Sequence, residues 1–301
     1  MEIHLGWLDS AAVGLLQGVA SVFPMGGYGH AVLISALAGD SAASIDPRQA
    51  SYLYACLHIA IAIGLFAYFW RDWIHVARGI SSSVLHRQVG PGSQRWAWLM
   101  LVACVPGVVG VVKLAHVARR VQDHPRLVAV LLAVNGVVLI GVWLWWRRSP
   151  RAAGMSGTHR APMTRREDAE AVSSELSYLR WGQALVVGFM PISLVVPGAS
   201  ATGLALAVGL LRRMSHEQAV RFSLLVSTPA MFAWGVLDFP SSSALSPVAG
   251  RVVLGSLVAA VAAYLTAALL VRYFKGATLR PFGLYCLLAG GAAYYGLVHL
   301  A

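Results

Sequence analysis

Six stretches of the 301-residue chain stay apolar for about the 20 residues a helix needs to cross a bilayer core. They run roughly over 50–70, 97–115, 127–146, 219–237, 250–271 and 281–300. The composition agrees: 58% of residues are hydrophobic and 12% charged, against roughly 25% charged in an ordinary soluble domain. A soluble fold of this length has too little interior for that much apolar surface. A soluble globular enzyme and a disordered chain are therefore excluded, and an all-α integral membrane protein is predicted. Glu2 and Asp9 give the N-terminus no basic region of the signal-peptide kind, so the first apolar segment is expected to stay in the mature protein.

Two further apolar segments are broken in their middles. Residues 12–38 carry Pro24, Gly26, Gly27 and Gly29, and residues 180–210 carry Pro191, Pro197, Gly198 and Gly203. Irregular backbone at membrane depth survives only where protein or water satisfies it. Both segments are read as re-entrant helical hairpins that return to the side they came from. Charge tests this. With six spans, two hairpins and both termini outside, seventeen basic residues fall inside and six outside, namely Arg48, Lys113, Arg119, Arg120, Arg126 and Arg251. That asymmetry is the positive-inside pattern. The net charge of +11 is thus carried by arginines between apolar blocks, which argues against a nucleic-acid partner.

The chain divides into three parts. A first repeat over 1–146 holds the hairpin at about 12–38 and three spans. A polar cytoplasmic linker covers 147–179. A second repeat over 180–301 holds the hairpin at about 180–210 and three spans. Gln49-Ala50 with Tyr52 and Gln218-Ala219 with Phe222 open the spans after the two hairpins, a weak internal repeat. Broken segments in corresponding positions of two inverted halves mark a ligand site near the midplane, or else Gly and Pro that only let helices pack closely. Cys56, Cys104 and Cys286 lie in separate apolar blocks and read as small buried hydrophobes. The Trp143, Trp145, Trp146 cluster before Arg147 and Arg148 reads as an interfacial belt.

Gly-rich helix ends leave backbone N–H groups unpaired, and such a nest attracts phosphate. Ser200 and Thr202 add hydroxyls beside the second tip. His30 comes directly after the first tip, either as an acid/base or anion donor or as a structural hydrogen-bonder. Arg221, at the start of a span, either lies near the second hairpin's ligand or snorkels to the interface.

These residues carry a resemblance. Gln17-Gly18 with Phe23-Pro24-Met25-Gly26-Gly27-Tyr28-Gly29-His30 resembles the first signature, E-G-x-x-E-F-L-P-x-S-S-T-G-H, of the bacterial undecaprenyl-diphosphate phosphatases, the bacitracin-resistance membrane family. Pro197-Gly198-Ala199-Ser200-Ala201-Thr202-Gly203 is similar to the second, P-G-x-S-R-S-G-x-T. The stretch from Met214 to Leu225 with Pro229 is similar to the family's segment after that motif. The resemblance covers nearly the whole chain. It implies six spans and two re-entrant hairpins in inverted repeat, in the bacterial cytoplasmic membrane.

The departures fall on the chemistry. Where the family has two glutamates, credited with metal binding and acid/base work, this chain has Gln17 and Ser21. The serine pair is Gly26 and Gly27, the threonine is Tyr28, and the arginine expected to clamp the pyrophosphate is Ala201. No Asp or Glu lies inside an apolar block. Phosphoanhydride hydrolysis needs charge neutralisation and a placed nucleophile, and losing one well-placed donor costs about 100–1,000-fold in rate.

The expectation is a member that binds or translocates a polyprenyl phosphate or diphosphate with little phosphatase activity. Gln17, Ser21, Gly26, Gly27, Tyr28, Gly198, Ser200, Thr202 and Arg221 would bind the headgroup, with His30 the one catalytic candidate. The alternative is a working undecaprenyl-diphosphate phosphatase rebuilt around His30, Tyr28 and Ser200. No cofactor is expected, and Mg or Ca enters only with that alternative. The lipid and the bilayer are the expected partners, with a homo-oligomer left open.

Overall fold

The computed structural model describes residues 6–37, 47–90, 92–148, 180–239 and 249–299. Among these residues the chain is helical and contains no strand. The elements are α1 (Trp7–Val22), α2 (Gly27–Leu37), α3 (Pro47–Tyr68), α4 (Trp70–His86), α5 (Ser93–Gln122) and α6 (Pro125–Arg147). Next come α7 (Trp181–Phe189) with a 3-10 continuation (Met190–Val195), α8 (Ala201–Leu211), α9 (His216–Leu237), α10 (Ala249–Tyr273) and α11 (Arg280–His299). Nearly all of the polar linker at 147–179 lies outside the described residues.

Six helices, α3, α5, α6, α9, α10 and α11, are long and apolar enough to cross a membrane, and they match the six stretches read from the sequence. Their exposed positions are Leu, Val and aromatic residues, such as Leu257, Val261, Leu265 and Leu269 along one face of α10. That is the surface a lipid-facing helix needs. The two broken segments are helix–turn–helix hairpins, α1–α2 and α7–α8. The arm α8 has 11 residues, about 16 Å at 1.5 Å per residue, too short to span, and the described part of α2 has the same length.

The contacts of the two halves pair off. Helix α1 packs on α10 as α7 packs on α5; α3 packs on α10 as α9 packs on α5; α6 packs on α11. Helix α9 is the most enclosed of the six, with 72% of its apolar window buried. Ser215 caps α9, accepting from the Gln218 amide at 3.2 Å while the Gln218 side chain accepts from the Ser215 amide at 2.9 Å. This capping box starts the helix at His216, three residues before the stretch read from hydropathy.

One element escapes a hydropathy reading. Residues 71–96 read as connection, yet most of them form α4, whose buried Val76, Gly79 and Ser83 recur at helical spacing and face α5. Its polar opposite face keeps it below the threshold of a spanning segment. Asp72 of α4 pairs with Arg221 of α9 at 2.9 Å. Arg147 and Arg280 lie over the Trp143 ring at 5.6 and 5.4 Å, and Arg95 over Trp181 at 6.0 Å. These contacts join α4, α5, α6, α7, α9 and α11 at one Arg-rich end of the bundle.

Candidate functional site

The first tip, residues 23–26, reverses the chain at Gly26, whose φ of 71° favours glycine. The second tip, residues 196–200, turns at Gly198 with φ 95°. The tips meet. A Cβ placed on Gly26 would stand 2.8 Å from the Gly198 carbonyl oxygen and 3.0 Å from that of Ala199. Thr202 donates from Oγ1 towards the Phe23 carbonyl at 3.4 Å and that of Ser21 at 3.5 Å. Asn135 of α6 bridges the seam. Its Nδ2 donates to the Pro24 carbonyl at 3.4 Å and its Oδ1 accepts the Ser200 amide at 3.2 Å. Cys286 of α11 completes the clasp, 3.7 Å from the same Pro24 carbonyl.

Most of the polar side chains singled out at the tips bond to the protein itself. Buried Gln17 donates from Nε2 to the Gly27 carbonyl at 3.2 Å, and its Oε1 accepts the Ser21 hydroxyl at 3.3 Å. The Tyr28 hydroxyl donates to Gln122 Oε1 at the end of α5. Ser200 caps α8, accepting the Gly203 amide at 3.0 Å. His30 holds Nδ1 3.1 Å from the Gly26 carbonyl and Nε2 2.9 Å from the Tyr285 hydroxyl of α11, the two rings stacked. A carbonyl beside Nδ1 assigns the proton there, so Nε2 accepts from Tyr285. Both nitrogens of His30 are thus engaged in holding the first tip. Arg221 does not join the group. It sits 5% exposed at the Arg-rich end, paired with Asp72 and 5.9 Å from the Phe69 ring.

Between the tips and α3 lies a cavity of about 20 Å³, room for one water. Ser21, Gly27, Tyr28, Ser200, Ala201 and His58 form most of its polar and small-residue wall, with Leu194 and Val196 on the apolar side. Its oxygens come from hydroxyls and backbone, and no carboxylate or cationic side chain lines it. A hard divalent ion wants carboxylate oxygens, so this donor set does not fit Mg²⁺ or Ca²⁺. Among the described residues no three His, Cys, Asp or Glu side chains cluster.

Two residues here were missed by sequence reasoning. His58 of α3 is 3% exposed, with Nδ1 2.8 Å from the Tyr54 carbonyl and the Tyr28 ring 6.1 Å away. Asn135 is the chain's sole asparagine and is 3% exposed. A signal existed for both, since each is a polar side chain within an apolar span, where such groups are costly and mark function by default.

The bacitracin resistance protein BacA family matches residues 10–292. An undecaprenyl-diphosphatase of Mycolicibacterium paratuberculosis is 35% identical over 97% of this chain and 98% of that protein. Undecaprenyl-diphosphatase 2 of Frankia alni is 35% identical over 95% and 96%, and undecaprenyl-diphosphatase 2 of Burkholderia orbicola is 33% identical over 92% and 92%. With its six apolar helices and two hairpins meeting at their tips, this multi-pass membrane protein belongs to the undecaprenyl-diphosphatase (BacA) family.

Proposed function

We propose that this protein binds a polyprenyl phosphate or diphosphate at the meeting point of the hairpin tips and hydrolyses it little or not at all, serving as a binder or translocator of the lipid carrier. The observation that carries the reading is the closeness of the tips where the family pattern has serines. A side chain at Gly26 would meet the Gly198 and Ala199 carbonyls, and a Cβ on Gly27 would stand 2.6 Å from the Ser21 amide nitrogen. The replacements therefore remove the serine pair and leave no space for its side chains. Gln17 and Ser21, at the family's glutamate positions, bond to each other and to the tip backbone. No divalent cation is required for the binding proposed.

The reading puts the Arg-rich end in the bacterial cytoplasm and both termini outside, which the charge asymmetry supports. The alternative, an active phosphatase with a rebuilt site, takes its support from the names of the relatives at 33–35% identity. Phosphate release from undecaprenyl diphosphate by purified protein, with Mg²⁺ or Ca²⁺ supplied, separates the two. Release at the rate of a protein-free control is expected, while native mass spectrometry detects bound lipid. Turnover that disappears in His30→Ala would overturn the proposal in favour of the rebuilt enzyme.

A further inference from the structure

Resting on the lipid-binding reading, the geometry points to a specific headgroup: we infer that the chamber takes a singly charged, protonated phosphate monoester in preference to a diphosphate, with His58 as the residue that reads its O–H. The first-turn amides of Gly27 and Tyr28 on α2, and of Ala201 and Thr202 on α8, have no carbonyl one turn back to bond. Gly27, Tyr28 and Ala201 are in the cavity wall. Two helix N-termini from opposite halves of the molecule therefore face one small space, each with the partial positive charge of its macrodipole.

The second observation is independent of the helix ends. His58 comes from α3, is 3% exposed, and has its ring in the same wall. Its Nδ1 lies 2.8 Å from the Tyr54 carbonyl, a contact that assigns the ring proton to Nδ1. Nε2 is then a lone-pair acceptor that makes no hydrogen bond among the described residues. With no donor among the described residues, that acceptor can meet a donor that enters the chamber. The chamber thus offers several N–H donors and one acceptor.

That pattern has a definite complement. A protonated phosphate monoester presents negative oxygens to the amides and one P–O–H to His58 Nε2. Charge points the same way. With no cationic side chain in the wall, each further negative charge brought from water is uncompensated, and desolvation favours the less charged form. A diphosphate brings a second phosphoryl group and more negative charge to a wall that has no cationic side chain. Ala201, standing where the family pattern has arginine, shares this wall with His58. The wall thus lacks the cation that the family pattern has at position 201 and offers the His58 acceptor.

The test uses the full chain in nanodiscs, with undecaprenyl phosphate, undecaprenyl diphosphate and undecaprenol as probes and inorganic phosphate as competitor. The monophosphate is expected to bind at least about tenfold tighter than the diphosphate, the scale of one charge-assisted hydrogen bond. His58→Leu should lose about tenfold for the monophosphate without changing undecaprenol binding, and His58→Gln, which keeps an acceptor, should retain most of the affinity. Equal or tighter diphosphate binding overturns the inference while leaving the lipid-binding reading intact, and so does unchanged monophosphate binding in His58→Leu. If both phosphorylated lipids bind no better than undecaprenol, the lipid-binding reading itself fails. Inorganic phosphate binding as tightly as undecaprenyl phosphate, so that the lipid tail adds nothing, would assign the chamber to the free anion and overturn the lipid headgroup. Should His58→Leu not fold, the wild-type preference and His58→Gln still decide.

Discussion

The arm α1 reaches its tip as a regular helix ending at Val22, whereas the arm α7 tightens at Met190 into a 3-10 turn that runs to Val195. After the tips the contrast continues. Helix α8 packs along α9 and buries eight of its 11 residues, while α2 has no comparable interface with α3, buries five and leaves Ile34 and Leu37 exposed. The second tip carries its own cap in Ser200. The first tip is held by side chains that reach other elements, Tyr28 to Gln122 of α5 and His30 to Tyr285 of α11. One hairpin is thus fixed by packing and local capping, the other by a few polar tethers. Similar hairpins in the two halves are stabilised by unlike means, and the polar residues of the first tip are already occupied in doing so.

The largest expected effect comes from the shared seam, where the difference between the hairpins vanishes. Gly198→Leu would force a side chain into a left-handed backbone and within 2.6 Å of the Val128 carbonyl oxygen. Strain and overpacking each cost about 1–3 kcal/mol, so loss of folded protein is expected, read by gel filtration in detergent. A normal monodisperse peak would refute the close packing of the second tip on α6.

Asn135→Leu comes next. It leaves the Pro24 carbonyl and the Ser200 amide without their partner in one step, at a cost of about 1–3 kcal/mol. A fall in the thermal unfolding midpoint is expected, larger than Ser200→Ala or His30→Phe produces. A midpoint equal to wild type would show that the asparagine bridge does not hold the tips.

The smallest effects separate the hairpins from each other. Ser200→Ala removes the α8 cap and the hydroxyl contact with Thr202, about 1 kcal/mol, and α8 should keep its place through its packing on α9. His30→Phe removes two bonds of the first tip, about 0.5–1.5 kcal/mol in a membrane setting. Hydrogen exchange should speed up in α2 for His30→Phe and stay local to the first turn of α8 for Ser200→Ala. Equal, localised responses would erase the proposed contrast.

Legibility in the sequence depends on the kind of signal. Spanning helices declare themselves because hydrocarbon thickness imposes a length, and α6 and α11 are readable nearly to their ends. The hairpins are legible because Pro and Gly clusters cannot continue a helix. Helix α4 is not, since its apolar residues line one stripe and hydropathy averages the stripe away. At the site, the glycines reveal the tip residues, but His58 and Asn135 come from spans and lie 32 or more residues from either tip in sequence, and only packing brings them to the tips.

The sequence by itself determined the membrane class, the six spans and the two broken segments, because the bilayer acts on each segment alone through length and polarity. Tertiary structure decided that the broken segments touch, that Arg221 answers Asp72 rather than a tip, and that His30 is spent on Tyr285 while His58 borders the chamber. Those outcomes depend on which helix faces cross at a few ångströms, and no local pattern along the chain encodes that distance.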